Sequence, residues 1–557
     1  MVCAGLSILH ADEQQKGIVR GRVIDAETKI GVPSQNVVIT GTKLGTATDA
    51  QGEFVLTNVP LGDHTLEVSG IGYSGARCGF TLTAETRTTI VTMSLSGKTL
   101  PLAEVRIVID PLTKSADMPV SMHSLTGRQI QTSAGALDDV VRTLTCLPGV
   151  APVRLDRADL VVRGGAPLEN LYLVDNIEFP VLSHFAVQGL SSGSSSVFNP
   201  DFISGIAFSS GGFGARNGDK LSSVLSLSLR NGNADHHSAG ATISATQFGL
   251  TCEGPLTKDG SYLAAARRSY LEPVFKAYDM NFTPVYWDGL VKAQLSAGQA
   301  DRIEALAVGS LDRIHEFSDL RTADVTNGDF VFSDQDMIIG GITWKHVARR
   351  WFTIGTVSQR WGNFDYFQLR ADTVKSSRIT SREKESLFSL EGFLPLTEST
   401  ELSLGVKYRY ITFAEEATLG EMPWAARYGA GCAHAEMHVD TTGSKYAGFM
   451  QLSQTIGTVV VTAGVRADYF DMINYPMVAA PRISLAYRGA AVFGITLSAG
   501  RYYQAPAYQW LINPYNKKLR PAGADQLVLG ITSRFGDAWK LSIEGYKKRY
   551  FDYPSSI

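Results

Sequence analysis

Between residues 240 and 550 the chain repeats one pattern, runs of about ten residues in which apolar and polar side chains alternate. In 401–410, Leu402, Leu404, Val406, Tyr408 and Tyr410 fall on one side, and Glu401, Ser403, Gly405, Lys407 and Arg409 on the other. Val461, Ala463, Val465, Ala467 and Tyr469 likewise oppose Thr462, Gly464, Arg466 and Asp468, and Leu541 and Ile543 oppose Lys540, Ser542 and Glu544. Successive side chains of a strand point to opposite faces, so each run is a strand with one apolar and one wet face. No apolar run reaches the roughly 18 residues that a membrane-spanning helix requires, so any crossing of a bilayer falls to strands. Aromatic residues cluster near strand ends at Tyr286-Trp287, Trp351-Phe352, Tyr366-Phe367, Tyr469-Phe470, Tyr502-Tyr503 and Tyr508 to Trp510, as the girdles of a membrane barrel do. A soluble sandwich would alternate too. The persistence of the pattern, with polar stretches such as 316–337 between strands, favours an antiparallel transmembrane β-barrel.

Composition narrows the function. A chain of 557 residues exceeds one compact domain, and two or three are expected. Lys+Arg 51 against Asp+Glu 54, net −3, gives no broad positive footprint, so nucleic acid is not an expected partner. The five cysteines (Cys3, Cys78, Cys146, Cys252 and Cys432) show neither CxxC spacing nor an even disulfide framework, and are expected to be small buried hydrophobes. His64-Thr65-Leu66-Glu67 fits H-x-x-E, but on a strand His64 and Glu67 face opposite sides and cannot converge on zinc. His236-His237 reads as a solvated turn. No catalytic residue, metal or cofactor is expected, and the chain is not expected to be an enzyme.

Upstream of the alternating region the character changes. Residues 147–227 carry LPGV at 147–150, VRGG at 162–165, LYLVDN at 171–176 and VFNPDFISGIAFSSGGFGARNGDKLSSVL at 197–225, with short apolar runs and paired glycines. Glycine at that density allows close packing and positive φ, as a small domain confined inside another structure needs. A helix over Leu137 to Thr145 places Leu137, Val140, Val141 and Leu144 on one face and stops at Leu147-Pro148-Gly149-Val150. These phrases resemble the plug domain of TonB-dependent outer-membrane receptors, assigned to 118–233 and followed by barrel over 234–557. Cys252 to Leu256 with Ala266 to Tyr270 resembles the first barrel hairpin of that family. The plug motif comprises Arg163, Gly164, Gly165, Asp175, Gly211, Gly212 and Gly214. Arg163 is either a solvated turn residue or, as the resemblance implies, a buried partner of a barrel carboxylate.

Residues 17–97 read as a β-sandwich, with strands Ile18 to Ile24, Asn36 to Ile39, Glu53 to Leu56, His64 to Val68 and Thr88 to Leu95 between turn residues. The order resembles the carboxypeptidase-regulatory-like domain, a transthyretin-like fold that Bacteroidetes-type receptors carry before the plug. Residues 98–117 are a linker, and Glu104, Val105, Arg106, Ile107 and Val108 are either a last strand or a TonB box, captured by strand addition. Residues 1–11 suit the remnant of a signal peptide.

The whole is expected to be mainly β: an N-terminal transthyretin-like β-sandwich, an α+β plug and a partial barrel. Residues after Asn233 supply about 13–14 strands against the roughly 22 of the family, which suggests a fragment, or a wall completed by a second chain. The resemblance implies an importer of a scarce ligand of the siderophore, cofactor or oligosaccharide class, in the outer membrane with its N-terminal domain in the periplasm. Its partners would be a TonB-type energising protein, outer-membrane lipid and, in some relatives, a surface lipoprotein; the small ligand is not legible. A non-transporting outer-membrane binding or signalling module is the alternative.

Overall fold

The computed structural model describes residues 16–95 and 121–554 apart from 27–28, 30, 33–34, 43, 50, 70–74, 84, 134–138, 154–158, 190–192, 194, 245, 279–281, 317–330, 349, 370–374, 420–434, 491–492 and 536–538. The expected signal remnant and the segment Glu104 to Val108 lie outside the described residues. The chain divides into two units, Met1–Arg106 and Ile107–Ile557.

In the first unit, strand Lys16–Asp25 pairs antiparallel with Glu53–Pro60 and parallel with Thr88–Leu95. A second sheet runs Gly45–Ala47, Asn36–Ile39, Gly62–Ser69, Ala76–Leu82. Alternation aims Val19, Val23, Phe54, Leu56 and Met93 from one sheet at Val37, Ile39, Leu66 and Val68 from the other, forming a buried core. The expected strands are present, along with Gly45–Ala47, too short to stand out in sequence, and Ala76–Leu82, whose alternating Ala76, Cys78, Phe80 and Leu82 pack on the core. His64 shares the parity of buried Leu66 and Val68, whereas Glu67 points away and pairs with Arg77 at 3.0 Å.

In the second unit, residues 121–229 form a plug around a mixed sheet ordered Ile177–Phe179, Asn170–Val174, Ser223–Leu229, Ile203–Ser209, Met122–Thr126. The helix is short, Val140–Leu144, with Asp139 as its N-cap accepting from Val141 N and Arg142 N; Val140, Val141 and Leu144 are buried. The plug does not complete its own core. Tyr172, Val174, Phe198, Phe208, Leu225 and Leu227 share one apolar cluster with Leu263, Leu290, Leu306, Val308 and Ile339 of the surrounding wall.

That wall is a single antiparallel sheet of fifteen strands among the described residues, from Ser238–Ile243 to Trp539–Phe551. Its two terminal strands each have one neighbour, so the sheet is not closed. At one end the connections take only two to four residues, as between Thr257 and Gly260, Ala297 and Asp301, Pro395 and Thr400. This economy is why the strands outnumber the thirteen or fourteen expected. At the other end they are longer, as from Ser269 to Glu272 and on to Phe282, or from Gln504 to Ala522. Strand Val331–Ala348 takes in the residues expected between strands, because Asp334 and Asp336 alternate with inward Ser333 and Gln335. The hairpin Gln247–Thr257 to Gly260–Ser269 is preceded by Ser238–Ile243, so it is not the first.

The two faces separate as alternation requires. Val406 (56% exposed), Val357 (57%) and Ile543 (58%) face outward, whereas Ser403 (2%), Thr356 (1%) and Arg466 (3%) are buried on the inner face. Four aromatics of the expected girdle turn inward instead: Tyr286, Phe470, Tyr502 and Tyr508 are buried. Adjacent residues of a strand cannot both face lipid, so in Tyr286-Trp287 only Trp287 does. The cysteines also depart from expectation. Cys146 and Cys252 are exposed, Cys252 on the same outward face as Phe248 and Leu250. Val406→Arg is expected to destabilise the folded chain in bilayers by about 2–4 kcal/mol, read by urea titration; an unchanged midpoint would mean that this face does not meet lipid.

Candidate functional site

The plug is held by polar contacts across the lumen, and several start from residues in unusual backbone conformations. Arg163 follows strand Leu160–Val162 with φ +50°. Its Nη2 donates to Glu544 Oε2 at 2.5 Å and to Ser121 Oγ at 2.8 Å, and its guanidinium lies 4.8 Å from the centre of the Tyr546 ring. Beside it, a Cβ on Gly165 would sit 1.8 Å from Ser222 Oγ and 2.6 Å from Glu169 Oε2, so only glycine leaves room there. Buried Glu169 accepts from Lys548, Tyr550 and Ser222 through Oε2 and from Tyr553 through Oε1. Glu169 was not singled out from sequence, since its wall partners Lys548, Tyr550 and Tyr553 lie more than 300 residues away.

Gly211, Gly212 and Gly214 lie on a stretch stitched to the same wall. Gly212 N donates to Gln526 Oε1 at 3.4 Å, Ala215 N to Gln451 Oε1 at 3.0 Å, and Arg482 donates to the carbonyls of Phe213, Gly214 and Asn217. A Cβ on Gly211 would lie 3.3 Å from Arg163 Nη1, so these glycines and Arg163 with Gly164 and Gly165 occupy one region. Asp175 stands apart. With Asn176 it forms the turn between Asn170–Val174 and Ile177–Phe179, both at positive φ, as a type I′ hairpin requires. Its Oδ2 lies 3.0 Å from Lys292 Nζ.

His184, also not singled out beforehand, is clamped between two wall carboxylates. Nδ1 lies 2.6 Å from Asp312 Oδ1 and Nε2 3.1 Å from Asp288 Oδ2, while the ring stacks on Tyr286 at 4.0 Å. Two nitrogens that both face carboxylate oxygens must both carry protons, so the geometry calls for imidazolium. Burial alone would lower the pKa of His184; Asp312 and Asp288 outweigh it and raise it above the usual value. Arg267, 2.7 Å from Asp288, supplies further positive charge.

At the long-loop end, plug and wall enclose a cavity of about 200 Å³. Plug residues 178–189 and 219–220 form its floor, strand residues its side, and the inward-folded segment 505–509 its rim. Tyr172, Phe179, Phe364 and Tyr508 give it apolar surface. Around them runs a network of charges: Glu178 takes Lys407 and Arg409, Arg360 bridges Glu383 at 3.0 Å and Glu385 at 2.8 Å, and Lys445 pairs with Asp219 at 2.8 Å. Burial would push the Glu178 carboxyl up, but Lys407 and Arg409 hold it well below the carboxylate range; Lys445 and Arg409 do the same for Asp219 against its burial. Gln188 at the plug apex donates to Glu383 at 2.6 Å and accepts from Ser381. Among the described residues no group of three or more His, Cys, Asp or Glu side chains could hold a metal ion.

Residues 274–557 match the family model described as TonB dependent receptor-like, beta-barrel, and residues 19–107 match that of the CarboxypepD_reg-like domain. No curated protein sequence matches the chain. Among solved structures, a variant of the ferric enterobactin receptor PfeA from Pseudomonas aeruginosa is similar at 14% identity, over 78% of this chain and 71% of that one, with a TM-score of 0.61. The siderophore receptor PirA from Pseudomonas aeruginosa follows at 15%, 79%, 75% and 0.57, and the outer membrane transporter YddB from Escherichia coli at 12%, 76%, 69% and 0.55. At these identities the likeness is one of fold.

Glu544→Gln strips Arg163 of its buried counter-charge and is expected to weaken plug docking by about 3–5 kcal/mol, seen as faster hydrogen exchange at 160–170; unchanged exchange refutes it. The His184 clamp has the opposite pH dependence to a carboxylate. A raised folded pKa stabilises the docked plug fully below about pH 6.5, and that contribution is lost as pH rises through the folded value. Exchange at 183–189 is therefore expected to accelerate on the alkaline side, and the acceleration to vanish in His184→Gln.

Proposed function

The chain belongs to the TonB-dependent receptor family, and from that premise we propose that it captures a small ligand at the long-loop end of its plug and passes it inward when a periplasmic partner pulls on the segment before the plug. It is a receptor of the outer membrane, crossing with strands, and a family of this kind works with TonB and performs no covalent chemistry. Long loops of such barrels face outward and short turns face the periplasm, so the cavity at 178–189 and 505–509 opens toward the exterior. The observation that carries the reading is how the plug is seated on the wall: its apolar cluster runs into the wall, and its ion pairs end on inward-facing strand residues.

The plug contacts suit a seat that can be broken. Buried ion pairs contribute little net stability against an apolar alternative but strongly fix one arrangement. The pairs of Arg163 with Glu544, Glu169 with Lys548 and Glu178 with Lys407 and Arg409 hold one register while costing little to exchange for water if the lumen opens. Glu104 to Val108 are proposed as the strand that the energising protein adds to its sheet, Arg163 and the glycines of the plug motif as the seat, and outer-membrane lipid and a surface lipoprotein as further partners. The ligand class is taken to be that of siderophores, cofactors or oligosaccharides, in keeping with neighbours that include a ferric enterobactin receptor.

Deleting 104–108 is expected to abolish energised uptake in outer-membrane vesicles or cells while leaving surface binding intact. Binding with no uptake in the unaltered chain would instead favour a non-transporting binding module.

A further inference from the structure

The outward face of the wall carries a cavity of its own. Register aligns Phe388, Tyr408, Tyr446, Tyr469 and Met477 directly opposite one another on five neighbouring strands, and all five are exposed. The tyrosines form a rail, with ring centres 5.0 Å apart from Tyr408 to Tyr446 and 6.0 Å from Tyr446 to Tyr469. The next row toward the short-turn end is small: Val406, Gly448, Ala467 and Ala479 oppose one another. The row after it is large again, at Leu404, Met450 and Val465. Small residues beside the rail leave an apolar groove of about 410 Å³, lined by its rings and by Val406, Gly448 and Ala467. Nothing in the chain requires glycine at 448. Its φ is not positive, no bulge breaks the register beside it, and a Cβ there would meet only the Gly405 carbonyl oxygen, at 3.9 Å. A glycine inside a strand that neither turns nor is crowded weakens the strand, and marks the close approach of another molecule.

Depth identifies that molecule. On strand Ala435–Ile456, outward Tyr446 and Ile456 are ten positions apart. That is about 33 Å of strand, or about 25 Å of height at the usual tilt, which matches the apolar band of a membrane barrel. The rail therefore stands at the outer border of the band, where amphipathic rings favour the headgroups, and the groove lies just inside it, in the outer leaflet. No hydrophobic force draws protein into a groove already surrounded by hydrocarbon, so packing decides what fills it. Beyond the rail the same columns become hydroxylic, with Ser386, Tyr410 and Ser444 in one row and Lys384, Thr412 and Thr442 in the next. Asp471, beside them, already accepts from Ser444 N at 2.8 Å. Hydroxyls and an ammonium suit a phosphorylated sugar better than the apolar wall of a second copy. Building on the reading of this face as lipid-exposed, we infer that the groove binds one acyl chain of an outer-leaflet glycolipid, whose phosphorylated sugar headgroup rests on the hydroxyls and Lys384 above the rail. The rings and the small row give that chain contacts on several sides at once, which a flat apolar face does not.

The test is native mass spectrometry of the full chain in detergent, titrated with hexa-acylated lipid A or with dipalmitoylphosphatidylglycerol. The unaltered chain is expected to retain one lipid A and to prefer it over the phospholipid. Gly448→Leu fills the groove, and losing ten or so carbon contacts should weaken lipid A binding about tenfold. Gly289→Leu, on the same outward parity as exposed Trp287 and Val291 of a distant strand, should leave it unchanged. The comparison of the two lipids on the unaltered chain needs no variant to fold, and heat-modifiable mobility checks both variants. No retained lipid, equal retention of both lipids, or equal effects of the two substitutions would overturn the inference. So would a concentration-dependent dimer abolished by Gly448→Leu, which would give the groove to a second copy. A chain that Val406→Arg destabilises in bilayers, yet that retains no lipid A, loses this site and keeps its lipid-facing wall.

Discussion

The structure depends on a shortage of water on one side of a sheet. Where the wall meets hydrocarbon, every backbone group must be satisfied by a neighbouring strand, and outward side chains must be apolar. Period-two geometry then sends every other residue inward, and these cannot all be apolar without erasing the alternation. Ser403, Thr356, Gln451 and Arg466 are the result, buried yet polar. The plug answers part of this set, Ala215 N donating to Gln451 and Arg466 donating to the Arg216 carbonyl.

That requirement explains why the plug looks poorly made as a separate domain. Its sheet is small and its helices span a single turn or little more. Its apolar cluster is finished by Leu263, Leu290, Leu306, Val308 and Ile339 of the wall, and its charged residues end on the wall's charges. The positive-φ residues Arg163, Asp175, Phe185 and Asp219 are tolerated because contacts on both sides hold them, and strain of this kind gathers where function is carried. His184 shows the principle at its sharpest, a buried cation between two anions on adjacent wall strands.

The same matching leaves a functional remainder. Around the long-loop cavity most charges find partners in the chain, which keeps the lumen stable without a ligand. Gln504, which lines the cavity, keeps a buried Oε1 with no hydrogen-bond partner among the described residues.

The sequence by itself determined most of the strands, the alternation of their faces, and the membership that its phrases announced. All of these are written in local periods of two residues or in contiguous motifs such as VRGG at 162–165 and GGFGARNGDK at 211–220. Within a pair such as Tyr502-Tyr503 the local signal could not say which ring faces inward, and position near a strand end suggested a girdle for both. Only the tertiary structure decided which side chains meet: Glu169 with Lys548, His184 with Asp312, and Glu178 with Arg409. Those pairings join residues more than a hundred positions apart across the lumen, and their distances are set by register and by how the plug sits in the wall, neither of which has any period along the chain.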